Sequence, residues 1–447
     1  MLDWAIRYPR QVAAAIPIAT TSRLSAQGIA FDAVGRNAIL TDQQFKEGMY
    51  YQTGKYPGAG LAVARMVGHI TYLSEEAMHA KFGRRLQRSE DYQYEFSNEF
   101  SVESYLDHQG SSFVDRFDAN TYLYFSKAMD YFDLPRQYGD LDQAMSLTQC
   151  RFLVLSYHSD WLFPPRQSQD LVDALMAQNK EVTYCNINCP FGHDSFLLET
   201  EIQGRLLRGF LAQTHRQLQS KNEKKTKPVP IIPKTAQSKK TGSIFAGGRV
   251  DHLKIAQLIR PDSRVLDLGC GNGDLLQLLQ QEKNIKGTGI TLNVQDIVNC
   301  CRRGIDVVQY DLNQGLHQYE AGSYDYVVLS QALQVVKNPE LLLREMLRVG
   351  KQVIVSFPNF AYWKGRFQLL FHGRAPVWKN LSYNWYDKPE ESVNYMSILD
   401  FEQFVRQHLQ ATLVRRIPLS SYWGREMNLF PNLLADEAIF VISKEHE

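Results

Sequence analysis

An aspartate and a histidine each follow an apolar stretch that predicts a strand in the first half of the chain. Asp160 ends the stretch "CRFLVLSYHSD" (150–160), and His193 follows "VTYCNINC" (182–189). A carboxylate that accepts a hydrogen bond from an imidazole fixes the ring's tautomer and supports the imidazolium formed on proton transfer. The two residues therefore suggest an acid–base pair. The alternative is that Asp160 caps the turn after its strand and His193 is an ordinary loop residue.

The elements around these two residues are those of a parallel α/β unit. The segment "PPRQSQDLVDALMAQNK" (164–180) has apolar residues at helical spacing, and "FLLETEIQGRLLRGFLAQTH" (196–215) predicts a closing amphipathic helix. Strand–helix–strand connections are right-handed, and loops after parallel strands meet at one edge of the sheet. The pattern therefore allows Asp160 and His193 to meet.

Upstream of this unit, "QVAAAIPIAT" (11–20) predicts a buried strand, and residues 24–145 are aromatic-rich and predicted mostly helical. A catalytic histidine would need a nucleophile, and in the order Ser, Asp, His it would be a serine in an upstream G-x-S-x-G turn. No such pattern occurs in the sequence. From the residues alone, either the pair is not catalytic or its nucleophile is missing.

A glycine loop is the main chemical feature of the second half. The segment "DSRVLDLGCGNGDLLQLLQQ" (262–281) predicts a strand, a loop with Gly269, Gly271 and Gly273, and a helix. The spacing differs from the dinucleotide fingerprint G-x-G-x-x-G. With Asp267 before the loop, it fits the first motif of Rossmann-like S-adenosylmethionine methyltransferases. The alternative is a purely structural turn.

Later strands strengthen the cofactor interpretation. Asp311 follows "IDVVQYDL" (305–312), where it is placed for an adenine amino group. The position that normally holds a ribose-binding acid carries Asn293, whose amide can still hydrogen-bond a hydroxyl but brings no charge. No N-P-P-Y-like motif follows the fourth strand, which argues against methylation of flipped bases.

A lysine- and proline-rich segment divides the chain. Residues 220–241 hold seven lysines, three prolines and one acidic residue without strand or helix period, which predicts a solvated linker. The domains expected on either side are 1–219 and 242–447. A basic run of this kind is also compatible with contact to RNA or an acidic partner.

The composition excludes several classes of protein. The chain of 447 residues has a net charge of +1, which calls for neither nucleic acid nor an anionic membrane as partner. No apolar run is long enough for a transmembrane helix, and the N-terminus lacks a signal-peptide layout. The six cysteines include no C-x-x-C pair, so we expect reduced thiols, no metal site and a cytoplasmic location.

The first half resembles the homoserine O-acyltransferase (MetX) family of the α/β-hydrolase fold. The resemblance covers nearly all of residues 1–213 and is carried by several segments. They are "DWAIRYP" (3–9), "LSAQGIAFDAVGRNAILTD" (24–42), "GLAVARMVGHITYLSE" (60–75), "FSVESYL" (100–106), "FDANTYLYFSKAMDYFD" (117–133), "SDWLFPP" (159–165) and "GHDSFLLE" (192–199).

This resemblance implies roles for individual residues. Asp160 and His193 match the acid and base of the family's triad, Arg65 matches its substrate-binding arginine, and Asp194 matches the carboxylate that binds the substrate's ammonium. A guanidinium suits an α-carboxylate and a carboxylate suits an α-ammonium, as in L-homoserine. The alternatives are a solvated helix arginine for Arg65 and a helix N-cap for Asp194. Residues 24–145 match the family's lid, which implies a homodimer.

The resemblance also implies where the nucleophile lies. In the family, the segment like "DWAIRYP" directly follows the glycine-flanked serine, which would fall just before Met1. We therefore expect this chain to lack the serine, the first strands and an oxyanion-hole loop, and to be inactive alone. The serine would lie either in sequence directly upstream of Met1 or in a separate N-terminal fragment that completes the chain. The full reaction would pass an acyl group from acyl-CoA through serine to homoserine, with acetyl favoured over succinyl.

Residues 244–443 resemble the methionine-biosynthesis MetW family, which has the methyltransferase fold and accompanies the acyltransferase. The segments are "RVLDLGCGNGDLL", "VVQYDLNQGL", "DYVVLSQALQ", "EMLRVGKQVIVSFPNF" and "YNWYD". The first hypothesis is thus a methionine-biosynthesis fusion protein of the α/β class. Two alternatives are an S-adenosylmethionine-dependent methyltransferase with a decayed first half, and a non-catalytic partner of a separate fragment.

Overall fold

The computed structural model describes residues 1–226, 249–373 and 394–444. Contacts between Cα atoms divide the chain into two compact units, Met1–Leu207 and Arg208–Glu447. In the described part of the chain, no helix is both long and apolar enough to cross a bilayer.

Two features that the sequence analysis singled out fall wholly or partly in the gaps between these described ranges. Most of the predicted linker at 220–241 and the segment "YNWYD" lie outside the described residues. The first seven residues of that linker belong instead to a helix that ends at Thr226.

The first unit is built on three parallel strands in the order β1-β2-β3. These strands are β1 (Ala14–Ala15), β2 (Arg151–Tyr157) and β3 (Val182–Ile187). All seven residues of β2 are buried, as expected for a parallel strand covered on both faces. The carboxyl ends of β2 and β3 lie side by side, with Tyr157 paired to Ile187.

Helices make up the rest of the first unit. They are α1 (Leu2–Arg7), α2 (Ala26–Thr41), α3 (Gly58–Tyr72), α4 (Glu75–Phe82), α5 (Ser101–Val114), α6 (Ala119–Tyr131), α7 (Leu134–Tyr138), α8 (Leu141–Ser146), α9 (Pro165–Ala177), α10 (Ser195–Leu198) and α11 (Glu201–Thr226), which continues past the boundary of the unit.

The helices α2 to α8 form the predicted helical region between β1 and β2. Ser25, Ser74 and Asp118 each cap a helix by accepting a hydrogen bond from a backbone N–H of its first turn. At Gly60 the backbone of α3 approaches Ala38 of α2 so closely that a Cβ atom would overlap the Ala38 carbonyl. Helices α2, α3 and α6 pack around a core that includes Ile39, Tyr50, Leu61, Ala64 and Ala119.

Two predicted elements differ from the observed ones. The buried strand expected at 11–20 is reduced to the two residues of β1, followed by an isolated bridge from Ile18 to Leu155. The helix expected at 196–215 is broken after Leu198. The break arises because Glu199 turns back and its Oε1 accepts from the N–H groups of Glu201 and Ile202, which starts α11.

The second unit is a mixed sheet in the order β6-β5-β4-β7-β8-β11-β9-β10. Its strands are β4 (Arg264–Leu268), β5 (Lys286–Thr291), β6 (Asp306–Gln309), β7 (Tyr324–Ser330), β8 (Gly350–Pro358), β9 (Ala411–Ser420), β10 (Arg425–Glu426) and β11 (Glu437–Lys444). The strands β4 to β8 are parallel, and β11 runs antiparallel between β8 and β9. The strand order reverses between β4 and β7, where α/β sheets of this kind bind ligands.

Helices of the second unit connect these strands. They are α12 (Val250–Leu258), α13 (Asp274–Lys283), α14 (Val294–Arg303), α15 (Pro339–Val349), α16 (Trp363–His372), α17 (Ile398–Phe404) and α18 (Pro431–Leu434).

Candidate active site

The structure brings Asp160 and His193 together at the carboxyl edge of the first unit's sheet. The Nδ1 atom of His193 lies 2.9 Å from Oδ2 of Asp160. The other carboxylate oxygen, Oδ1, accepts from the backbone N–H groups of Leu162 and Phe163. Asp160 therefore caps its turn and holds the histidine at once, so the two interpretations of its role are compatible.

The second ring nitrogen of His193 is available. Nε2 has no hydrogen-bond partner among the described residues, and the side chain is 16% exposed. Three aromatic rings surround the imidazole, with centroid distances of 5.1 Å to Phe163, 5.2 Å to Phe196 and 5.9 Å to Tyr72. If Asp160 accepts the Nδ1 proton, Nε2 carries the lone pair that a general base needs.

A tight turn holds the histidine loop in place. Ser159 Oγ accepts from the Gly192 N–H and donates to the Cys189 carbonyl. Gly192 has a φ of 70°, and a Cβ atom there would overlap the backbone of Ser74. Glycine is required at this position because the backbone is left-handed and the end of α3 lies directly against it.

Arg65 lies on the α3 face near this loop and has no hydrogen bond or ion pair within the described part of the chain. Its guanidinium carbon lies 4.7 Å from the Phe113 ring centroid and 5.6 Å from that of Tyr72. Its Nε atom is buried without a partner. The arginine is thus half-buried and held by aromatic rings, unlike a solvated surface arginine, and its donors remain free for a ligand.

Asp194 follows the histidine and is close enough to Arg65 to interact electrostatically. Burial raises the pKa of its carboxyl, while His193, Arg65 and Lys81 oppose that rise. Its side chain makes no capping hydrogen bond to α10, so the N-cap alternative is not realised. The four residues singled out in the sequence of this unit therefore converge on one site.

Two residues of this site were missed from the sequence. His69 Nδ1 lies 3.0 Å from the hydroxyl of Tyr105, and its Nε2 atom is buried without a partner. Arg65, His69 and Tyr72 share one face of α3 because they are four and seven residues apart. This spacing was visible in the sequence, whereas the contact with Tyr105 on α5 was not.

No serine of the described residues hydrogen-bonds His193. Ser74 donates to the Pro190 carbonyl, Ser159 holds the turn at Gly192, and the hydroxyl of Ser195 is buried without a partner. The hydroxyls of Ser74 and Ser159 therefore hold the loop that carries His193, and that of Ser195 has no partner among the described residues.

A second cluster of predicted residues lies at the carboxyl edge of the second unit's sheet. Gly269, Gly271 and Gly273 have φ values of 70°, 51° and 76° between β4 and α13. A Cβ at Gly273 would lie 2.6 Å from the Ile305 side chain, whereas the space at Gly271 is open. Gly273 thus serves packing, and Gly271 leaves the loop accessible to a ligand.

The polar residues of this edge are Asp267, Asn293 and Asp311. Burial raises the pKa of Asp267 to about 7. The negative charge of Asp251 adds to this rise, and the positive charge of Arg249 opposes it. Asn293 Oδ1 caps α14 by accepting from Gln295 and Asp296, which leaves its amide N–H groups to donate. The glycine loop, the amide of Asn293 and the carboxylate of Asp311 therefore follow the ends of the neighbouring strands β4, β5 and β6.

Comparisons with known proteins support the family resemblance of each half of the chain. A family profile of the methionine biosynthesis protein MetW matches residues 249–442. The bifunctional methionine biosynthesis protein MetXA/MetW of Rhodopirellula baltica is 38% identical over 459 residues, covering all of this chain and 70% of that protein.

Two further relatives correspond to one half only. The homoserine O-acetyltransferase of Methanohalobium evestigatum is 51% identical over 48% of this chain and 44% of its own length. The homoserine O-succinyltransferase of Acinetobacter baumannii strain ATCC 17978 is 51% identical over 47% of this chain and 54% of its own. The chain thus spans about half the length of these acyltransferases. The match over the whole of this chain and 70% of the Rhodopirellula baltica protein shows that the chain belongs to the bifunctional MetXA/MetW family of methionine biosynthesis proteins.

Proposed function

We propose that the first unit supplies the acid–base and substrate-binding part of a homoserine O-acyltransferase. The observation that carries the proposal is the bond from Asp160 to His193 Nδ1 with Nε2 left free. This is the arrangement of a general base that awaits a hydroxyl. The acyltransferase relatives make L-homoserine the proposed acceptor and acyl-CoA the donor.

The reaction divides into two half-reactions, and in each of them Nε2 of His193 takes up a proton and gives it back. In the first, Nε2 takes the proton of a serine hydroxyl as that oxygen attacks the thioester carbonyl, and the proton leaves with the CoA thiol. In the second, Nε2 takes the proton of the homoserine hydroxyl, which attacks the acyl-serine ester, and returns it to the serine oxygen. Asp160 stabilises the imidazolium in both.

Arg65 and Asp194 are the proposed ligands for the two charged groups of L-homoserine. The unpaired guanidinium of Arg65 would bind the α-carboxylate, and the half-buried carboxylate of Asp194 would bind the α-ammonium. Together they would direct the side-chain hydroxyl toward His193. Acetyl-CoA is the favoured donor, although the relatives include both an acetyltransferase and a succinyltransferase.

The nucleophilic serine is proposed to come from outside residues 1–447. The sequence contains no G-x-S-x-G turn, and no described serine contacts His193. The test is acyl transfer to L-homoserine by the purified chain with and without a co-expressed acyltransferase segment that carries such a turn, assayed with acetyl-CoA and succinyl-CoA. We expect turnover only with the segment. Turnover by the chain alone, or none in either mixture, contradicts the proposal.

The second unit supports a second candidate function, binding of S-adenosylmethionine for methyl transfer. The open space at Gly271, in the glycine loop that follows Asp267 and β4, favours it. When bound, this cofactor supplies an electrophilic methyl group, and Asn293 and Asp311 would hold its ribose and adenine. Equilibrium binding of labelled S-adenosylmethionine tests it. Gly271→Arg should abolish binding, while Gly424→Arg, at another left-handed glycine with open space, should not. Equal binding by both variants contradicts it.

A further inference from the structure

Two buried polar atoms without partners lie one helical turn apart on α3. They are Nε of Arg65 and Nε2 of His69, and neither has a hydrogen bond among the described residues. His69 is only 9% exposed. Leaving a buried polar atom without a hydrogen bond destabilises a protein, so two such atoms on one helix face point to a ligand that supplies the missing partners.

The hydrogen bond with Tyr105 defines which nitrogen of His69 carries the proton. Burial and the nearby Asp194 raise the pKa of the Tyr105 phenol, so it keeps its proton. Its hydroxyl lies 3.0 Å from His69 Nδ1, its one hydrogen-bond partner in the described part of the chain. We assign the hydroxyl as the donor, because the reverse direction leaves the phenolic proton without an acceptor among those residues. The neutral imidazole then carries its own proton on Nε2, which becomes a donor.

The surroundings of His69 favour an anionic partner for that donor. Burial, followed by the charges of Arg65, Lys81 and Arg116, lowers the pKa of His69 to about 4, so the ring is neutral near pH 7. The ammonium of Lys81 lies 4.2 Å from the ring centroid of Tyr105. A carboxylate placed here would face several cations and a neutral N–H donor.

We propose that His69 Nε2–H donates a hydrogen bond to the α-carboxylate of the bound amino acid, beside Arg65. This inference rests on the proposed acyltransferase function and adds a substrate-binding residue to it. Tyr105 acts as a positioning residue, because its hydroxyl fixes the tautomer that makes Nε2 a donor. A neutral histidine completes the carboxylate site without placing another cation beside Arg65.

The test is calorimetric binding of L-homoserine to the full chain and three variants. We expect His69→Leu to weaken binding about tenfold to a hundredfold, and Tyr105→Phe about threefold to tenfold, as for hydrogen bonds to a charged group. The control His79→Leu, at an exposed histidine of the adjacent helix α4, should bind as the unchanged chain does.

A nuclear magnetic resonance measurement separates binding from a structural effect. In the chain labelled with ¹⁵N-histidine, the Nε2–H signal that is absent from His69→Leu should shift when L-homoserine is added. An unmoved signal, or unchanged affinity in His69→Leu, overturns the inference while leaving the acyltransferase proposal standing. If His69→Leu does not fold, unchanged affinity in Tyr105→Phe overturns it. Failure of the unchanged chain to bind L-homoserine overturns the proposed function itself.

Discussion

At the scale of single residues, Asp160 divides its carboxylate between two tasks. One oxygen accepts from two backbone N–H groups of the turn, and the other accepts from His193. An asparagine keeps an oxygen for the turn but presents an NH₂ group to Nδ1, which forces the ring into the wrong tautomer for a base. Alanine removes both interactions.

These two substitutions should therefore have different effects. We expect Asp160→Asn to reduce acyl transfer in the complemented chain about 10³–10⁴-fold with little change in stability. Asp160→Ala should lose activity equally and also lower the free energy of unfolding by about 1–3 kcal/mol, since the turn's N–H groups lose their acceptor. Kinetic assays and urea unfolding measure the two effects. Full activity in Asp160→Asn would contradict the assigned role.

The sequence allowed part of this site to be predicted at the residue scale. Asp160 and His193 follow adjacent parallel strands, and the geometry of such strands brings their loops together. The contact of His69 with Tyr105 depends on how α3 packs against α5, 36 residues apart, which no local pattern specifies. The buried state of Arg65 likewise depends on Phe113 from another helix.

At the scale of elements, a pair of carboxyl groups joins α2 to α6. Oδ2 of Asp32 and Oδ1 of Asp130 are both buried without a partner, while Arg36 lies 2.6 Å from the other oxygen of Asp130. Burial, then the charge of Asp130, raises the pKa of Asp32 to about 6. A proton on Asp32 that is donated to Asp130 would satisfy both oxygens.

This pair predicts a pH dependence of stability. The pKa of Asp32 in the folded protein lies above its usual value of 3.8, so the protonated side chain stabilises the fold. This stabilisation is complete below about pH 4 and is lost as the pH rises through about 6. The side-chain amide of Asp32→Asn donates to Asp130 at every pH, so this variant should not lose stability as the pH rises. We expect its free energy of unfolding near pH 7 to exceed that of the unchanged chain by about 1 kcal/mol, a value reduced for the partial exposure of Asp32. Calorimetric unfolding measures it, with the exposed Asp170→Asn as control. Parallel pH profiles for both variants would contradict it.

The glycine loop of the second unit predicts a contrast between two neighbouring positions. Gly273→Ala places a Cβ 2.6 Å from Ile305 and 3.0 Å from Cys300 Sγ at a left-handed φ, so strain and overlap should together lower the free energy of unfolding by about 2–4 kcal/mol. Gly271→Ala meets open space and should cost only the backbone strain, about 1–2 kcal/mol. Equal losses on urea unfolding would contradict this division.

Element boundaries were less predictable than element types. In the second unit, the strand and helix predicted within 262–281 are observed as β4 and α13, and the strand predicted at 305–312 is observed as the shorter β6. The short β1 and the break between α10 and α11 depend on side chains such as Glu199, whose capping bonds compete with a continuous helix. The spacing of apolar residues along the sequence cannot reveal whether such a capping side chain will interrupt a helix.

At the scale of the whole molecule, exposed aromatic side chains on α6 predict that the chain forms a homodimer. Tyr124, Phe125 and Tyr131 are 77%, 61% and 77% exposed, an unusual set of apolar side chains for a free helix. We expect a homodimer through the helical lid, with a mass by light scattering of twice 51.4 kDa. Tyr124→Glu combined with Tyr131→Glu should give the monomer mass. A monomer before substitution would contradict the lid as a dimer interface.

The central claim is that His193 is the general base of acyl transfer to L-homoserine. The most direct test is the initial rate of acyl-homoserine formation by the chain completed with a serine-bearing segment, comparing His193→Ala with His158→Ala, an exposed histidine just before Asp160. The account predicts a loss of about 10³-fold or more for His193→Ala and an unchanged rate for His158→Ala. Undiminished turnover in His193→Ala would contradict it.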